Sequence, residues 1–319
     1  MLPVIAEVVR SGFVEGRHHG SVLALDTNGS PAYAAGDVTG PILPRSCNKP
    51  LQTLAMVRSG LDLDGELLAL ACASHSGEPF HLDGVRRILA HVGLAESALK
   101  NPPGWPLEDA VAEEALRSGA TPTTLAMNCS GKHAAMLATC VVNDWSTADY
   151  LDPTHPLQQA IAATLTQVTG EPIAHRAVDG CGAPLLSVSL VGLARAFAHL
   201  ATSSRPEETR IATAIREHPV WVSGTRRDEA ALLAAIPGAI AKAGAESVYA
   251  VALADGRAFA VKTEDGAPRA RPVVMAALLS RFGIDHEPGV DGAAVRRTGE
   301  SWLYGGSAVV GEIRAALPT

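Results

Sequence analysis

The sequence predicts a mixed α/β (α+β) fold: an antiparallel sheet built from both ends of the chain, flanked by helices, with a mainly helical middle region packed beside it. Three observations predict it. Residues of about 4–40 and 247–314 contain short runs with the two-residue period of strands, residues of about 46–241 carry the longer period of helices, and no internal repeat divides the 319 residues. The expectation is a single domain over 1–319.

The strands come first. Val4–Arg10, Ser21–Asp26 and Ala32–Gly36 are short and rich in small apolar and β-branched residues, and Asp26-Thr-Asn-Gly29 has the turn chemistry of a hairpin. Pro41 and Pro44 then punctuate a loop, and a helical pattern through Leu51, Leu54, Ala55 and Arg58 stops at Gly60. Further helices are expected at Leu67–Ala73, Leu82–Val92, Leu107–Ser118, His133–Val142, Leu157–Thr169, Leu185–His199, Glu208–Glu217 and Asp228–Ala235. Breakers such as Asn101-Pro-Pro-Gly-Trp-Pro106 separate them. Ser247–Ala254 and Ala258–Thr263 alternate around an Ala254-Asp-Gly-Arg257 turn, and a helix at Pro272–Phe282 precedes a last strand, Ala308–Arg314.

Composition removes whole classes of function. A formal net charge of −7 disfavours a nucleic-acid-binding surface, which needs clustered Lys and Arg. The N-terminal MLPVIAEVVRSG reads as a strand rather than an export signal, and the apolar stretches are far too short to span a bilayer. Five cysteines at wide spacings fit buried thiols better than a disulfide framework. A cytoplasmic protein without nucleic-acid or membrane partners is expected.

Four segments carry chemistry. In Arg45-Ser46-Cys47-Asn48-Lys49-Pro50, Ser46 and Lys49 share one helix face, and the helix start favours developing negative charge near Ser46. A serine needs a base, and a neutral lysine amine can serve; the same spacing also suits a plain N-cap and a solvated lysine. Ala71-Cys72-Ala73-Ser74-His75-Ser76-Gly77-Glu78 gathers polar groups at the end of an apolar helix, as either a site or a turn. Asn128-Cys129-Ser130-Gly131-Lys132-His133 and Asp179-Gly180-Cys181-Gly182 hold thiols, a histidine and an aspartate, but no C-x-x-C. Val261-Lys262-Thr263-Glu264-Asp265-Gly266 ends a strand; Lys262 is either a surface charge or a second ammonium facing Lys49, which would favour a neutral Lys49 amine.

Taken in order, R-S-x-x-K-P, C-A-S-H-S-x-E, N-C-S-G-K-H, D-G-C and V-K-x-E-D-G make the chain resemble the asparaginase II family of the Rhizobium etli inducible type, the class 3 L-asparaginases. The resemblance runs from about Val8 to Gly311. It implies a fold similar to serine β-lactamases and glutaminases, and two Ser-Lys pairs, Ser46 with Lys49 and Ser74 with Lys262. It implies zinc held by Cys129, Lys132 and Cys181 with water, and Asp179 and His133 beside the metal. Arg45, Glu78, His133 and Asp179 are expected to bind substrate, and a homodimer is implied.

The expected reaction is hydrolysis of L-asparagine to L-aspartate and ammonia through an acyl-enzyme on Ser46. Zinc would fix the pocket and grip the α-amino and α-carboxylate groups of the substrate. A glutaminase or other Ser-Lys amidase is the nearest alternative, and a non-catalytic zinc or amino-acid-binding protein is the alternative of another class.

Overall fold

The computed structural model describes residues 1–319. Its strands are β1 (Val4–Arg10), β2 (Phe13–Leu25), β3 (Pro31–Ala35), β4 (Arg176–Val178), β5 (Pro184–Leu186), β6 (Ile240–Ala243), β7 (Val248–Ala252), β8 (Ala258–Thr263), β9 (Trp302–Gly305) and β10 (Ala308–Ala315). Its helices are α1 (Lys49–Arg58), α2 (Gly65–Ala71), α3 (Pro79–His91), α4 (Asp109–Arg117), α5 (Ser130–Val142), α6 (Pro156–Thr169), α7 (Leu190–Thr202), α8 (Pro206–Glu217), α9 (Pro219–Val222), α10 (Asp228–Ala235), α11 (Ala270–Arg281) and α12 (Gly292–Thr298). No helix is long and apolar enough to cross a membrane.

The chain divides into two compact units. The first comprises residues 1–47, 188–202 and 231–319. It holds an eight-stranded sheet in the order β6-β7-β8-β2-β1-β10-β9, with β3 also paired to β2. Every pairing is antiparallel, and the two ends of the chain meet where β1 pairs with both β2 and β10. The expected sheet from the chain ends is therefore present. Its central strands are buried along almost their whole length because α7 and α11 lie on them. Phe259 on β8, fully buried, meets the Phe282 ring edge-on at 5.7 Å.

Four strands correct the expected boundaries. β6 falls at the end of the segment read as helical, β4 and β5 fall inside it, and β9 was not foreseen. β6 reads Ile-Ala-Lys-Ala with every residue buried, so it shows none of the alternation that marks a half-exposed strand. β4 and β5 are three residues each, too short to show any period. The helix expected at Leu185–His199 begins instead at Leu190, after β5.

The second unit comprises residues 48–187 and 203–230 and is mainly helical. Helices α1 and α5 form its centre: nine of ten residues of α1 and eleven of thirteen of α5 are buried. A helix apolar all round must be enclosed by others, and α2, α3, α6 and α8 enclose these two. Gly131 lets α5 approach the end of α2, since a Cβ there would lie 2.6 Å from the Leu70 carbonyl oxygen. That approach fixes the segment after α2, which carries Ser74.

Candidate active site

In the first unit, Ser46 lies in a 3-10 turn, Arg45–Asn48, that runs directly into α1. The turn begins at Arg45 in the left-handed region (φ 50°) and is closed by the Cys47 N–H donating to the Pro44 carbonyl at 3.1 Å. Strand β6 clasps it: the Cys47 thiol donates to the Lys242 carbonyl at 2.9 Å. Gly244, just past β6, is necessary here. A Cβ at that position would sit 2.8 Å from the Pro44 oxygen, 3.1 Å from the Cys47 nitrogen and 3.3 Å from the Ser46 nitrogen. Beyond it the chain reverses, Gly244 donating to the Val248 carbonyl, with Glu246 and Ser247 both left-handed (φ 55° and 57°). Three of the five non-glycine residues with positive φ thus gather around Ser46. Such strain costs on the order of 1–3 kcal/mol per residue and persists where the surroundings over-determine it.

Lys242, unnoticed in the sequence, is fully buried beside this turn, its Nζ donating to the Ala243 carbonyl at 2.8 Å. Lys262 is on β8, opposite Ser21 of β2 and Val248 of β7, and is half-buried, with Nζ donating to the Thr263 carbonyl. Burial lowers its pKa against the opposing pull of Glu246, Asp265 and Glu264. The Arg45 guanidinium lies 3.6 Å from the Glu246 carboxylate.

In the second unit, Lys49 opens α1 with its side chain fully buried. Its Nζ donates to Ser74 Oγ at 2.9 Å and to the Ala73 carbonyl at 2.6 Å. The Ser74 segment is held extended: the Ser74 N–H donates to the Val222 carbonyl and the His75 N–H to that of Asn128. His75 adds a third anchor. Its Nδ1 accepts from the Gly77 N–H, so Nε2 donates to Ser130 Oγ at 2.8 Å, and Ser130 donates onward to the Leu125 carbonyl at 2.7 Å. Burial, with His81 and Lys49 adding to it, holds the His75 pKa well below its ordinary value, in agreement with this neutral tautomer. Glu78 is elsewhere occupied: its two oxygens accept from the Thr225 N–H and hydroxyl, each at 2.9 Å. It lines an open pocket of about 650 Å³ whose apolar wall includes Trp105, Pro106 and Val111.

Cys129, Lys132 and Cys181 converge within the same unit. The β4–β5 hairpin turns at Asp179–Ala183 and presents Cys181, while Cys129 and Lys132 come from the start of α5. Lys132 Nζ is 3.2 Å from Cys181 Sγ, and both thiols are almost wholly enclosed. Hydrogen bonding with Cys129 and the Lys132 charge hold the Cys181 pKa far below its ordinary value against burial. The same hydrogen bond, with burial, drives Cys129 up. Burial pulls Lys132 down, but Cys181, Cys129 and Asp179 outweigh it and hold it protonated. His133 takes part too; Nδ1 is 2.7 Å from the Tyr150 hydroxyl, and Nε2 lies toward Cys181, buried without a hydrogen-bond partner.

The L-asparaginase II family model matches residues 6–315. The chain belongs to the L-asparaginase II family. No curated protein matches it. Among solved structures it is similar to a β-lactamase from Mycobacterium bovis, at 16% identity and TM-score 0.46, over 88% of this chain and 96% of that one. It is also similar to Mglu in its native form, at 14% identity and TM-score 0.46, over 83% of this chain and 64% of that one. A Bacillus glutaminase matches at 12% identity and TM-score 0.36, over 83% of this chain and 91% of that one.

For this family member, the structure joins Lys49 with Ser74 and joins Cys129, Lys132 and Cys181. Lys242 is the residue that sequence reasoning missed. Its one signal was Lys-Ala-Gly, in which a lysine and a glycine sit next to a Glu-Ser turn. Within the second unit, a fully buried lysine hydrogen-bonded to a buried serine is a pair that can exchange a proton.

Proposed function

We propose that the protein is an L-asparagine amidohydrolase working by double displacement. Ser46 Oγ attacks the side-chain amide carbon, and its proton passes to Lys49. The backbone N–H of Ser46 is one donor to the developing oxyanion. Ammonia leaves with a returned proton, a β-aspartyl ester remains on Ser46, and water activated by the same base releases L-aspartate. Ser74, hydrogen-bonded to Lys49, relays the proton. The observation that carries this reading is the 2.9 Å contact between a fully buried lysine and a buried serine. Lys262, half-buried on β8, keeps the tuning role first given to it, and Lys242, fully buried on β6 with its carbonyl accepting from the Cys47 thiol, is a second candidate for that role.

The metal site is part of the same proposal. No group of three His, Cys, Asp or Glu side chains could hold a metal, so a bound ion would need the Lys132 amine as third donor. The residues fit: two thiols and an amine meet in a buried cluster, and the unpartnered His133 Nε2 is turned toward it. Zinc held by Cys129, Lys132 and Cys181 would supply a fixed positive centre that keeps the pocket in shape. Binding would deprotonate Lys132 and Cys129. The reading includes a cytoplasmic homodimer, and all five thiols being free agrees with a reducing compartment.

The test is ammonia release from L-asparagine and L-glutamine by the purified protein, Ser46→Ala and Ser74→Ala. Asparagine should be the faster substrate. Ser46→Ala should lose on the order of 10⁴-fold or more in kcat, and Ser74→Ala about 10²–10⁴-fold. No turnover of either amide, with zinc supplied, would refute the reading.

A further inference from the structure

We infer that Glu246, paired with Arg45, recognises the α-ammonium group of the substrate and so restricts the site to free α-amino acids. The inference rests on the proposed amidase reading and deepens it. Glu246 stands in the turn beside Ser46: a Cβ on Gly244, two residues earlier, would lie 3.3 Å from the Ser46 nitrogen, and Arg45 precedes Ser46 in the chain.

Its backbone is left-handed (φ 55°, ψ 29°), a conformation that glycine adopts without strain and glutamate does not. A carboxylate placed there is accounted for by its side chain rather than by its backbone. That side chain is 59% exposed, and Arg45, at 3.6 Å, is beyond hydrogen-bond length. An exposed ion pair at that distance repays little of the strain. A guanidinium and a carboxylate 3.6 Å apart, next to the Ser46 turn, have the charge pattern of a receptor for a zwitterion. The α-carboxylate meets Arg45, and the α-ammonium meets Glu246. Ser247 Oγ, donating to the Ala267 carbonyl at 2.9 Å, anchors the turn so that the carboxylate keeps its place.

The experiment compares kcat/KM for L-asparagine and for succinamic acid, which has the same amide and carboxylate but no amino group. It uses the full-length protein, Glu246→Gln and Glu246→Asp. The asparagine-to-succinamate ratio should fall about 10- to 100-fold in Glu246→Gln, through KM for asparagine, as expected for one lost charged hydrogen bond. Glu246→Asp should recover part of it. A ratio unchanged in Glu246→Gln overturns the inference, including the case where both substrates decline together because the turn is merely damaged.

A second measurement separates this failure from that of the amidase reading. If the wild-type protein hydrolyses neither amide, melting shifts with L-aspartate and with succinate are compared instead. A larger shift with aspartate, lost in Glu246→Gln, supports Glu246. Equal shifts overturn it.

Discussion

Replacing Gly244 by alanine should cripple the reaction while leaving the protein folded. The added Cβ would meet three backbone atoms of the Ser46 turn at 2.8, 3.1 and 3.3 Å. Ordinary van der Waals contact for a methyl begins near 3.5 Å, so the turn or the β6 end must give by several tenths of an ångström. None of the three atoms is the flexible end of a side chain, so the movement is transmitted to the Ser46 backbone. Overpacking of this kind costs about 1–3 kcal/mol, which predicts a melting point lower by roughly 2–10 °C. A displacement approaching 1 Å at a reacting atom costs about 10²-fold in rate. Steady-state ammonia release, alongside thermal melting, reads both. A Gly244→Ala protein with kcat within twofold of wild type would show that β6 does not set the position of Ser46, and the reasoning built on this contact would fall.

Two further outcomes follow from the buried groups. Purified protein should carry about one zinc per chain by metal analysis, lost in Cys181→Ser, and stripping it should raise KM more than it lowers kcat; unchanged KM with abolished kcat would contradict a pocket-fixing role. Burial lowers the folded His81 pKa to about 4 from 6.5, so the contribution of His81 is fully present above pH 6.5 and is lost as pH falls from 6.5 toward 4. That gap amounts to about 3 kcal/mol at pH 4. Melting between pH 7 and 5 should therefore decline less in His81→Gln than in the wild type, and parallel declines would refute the assignment.

The legible part of this fold was the part bounded by turn signals. β1, β8 and α10 match their expected limits, with Ser11-Gly12 after β1, Asp255-Gly256 before β8 and Pro237-Gly238 after α10. β6 hid because it is short, fully buried and rich in alanine, a composition that a helix shares. Lys262 drew notice because it lies in a strand that was read from the sequence, whereas Lys242 lay in the stretch between the last expected helix, Asp228–Ala235, and the next expected strand, Ser247–Ala254, to which no element was given. The motif residues were visible as local patterns, but their pairings were not. Nothing in the spacing of Ser74 shows that Val222 and Asn128 hold its segment extended so that Ser74 meets Lys49. The β4–β5 hairpin that presents Cys181 is likewise a product of tertiary packing.

The hydrogen bonds of Lys49 also bear on which serine forms the ester. Nζ donates twice, to the Ala73 carbonyl and to Ser74 Oγ. With its amine neutral, as the proposed base role requires, these two bonds take two N–H donors and the lone pair is the base. A base needs that arrangement, and a serine that accepts from the amine is not the group losing its proton to it. Ser74 can pass its own hydroxyl proton onward only as it receives one from Lys49, which is the work of a relay. Ser46 differs in each respect. It follows a strained residue, it lies in the 3-10 turn that runs into α1, and its N–H lies where helix-start donors favour an oxyanion. On these grounds the proposed mechanism puts the ester on Ser46 and gives Ser74 the relay of protons to and from Lys49.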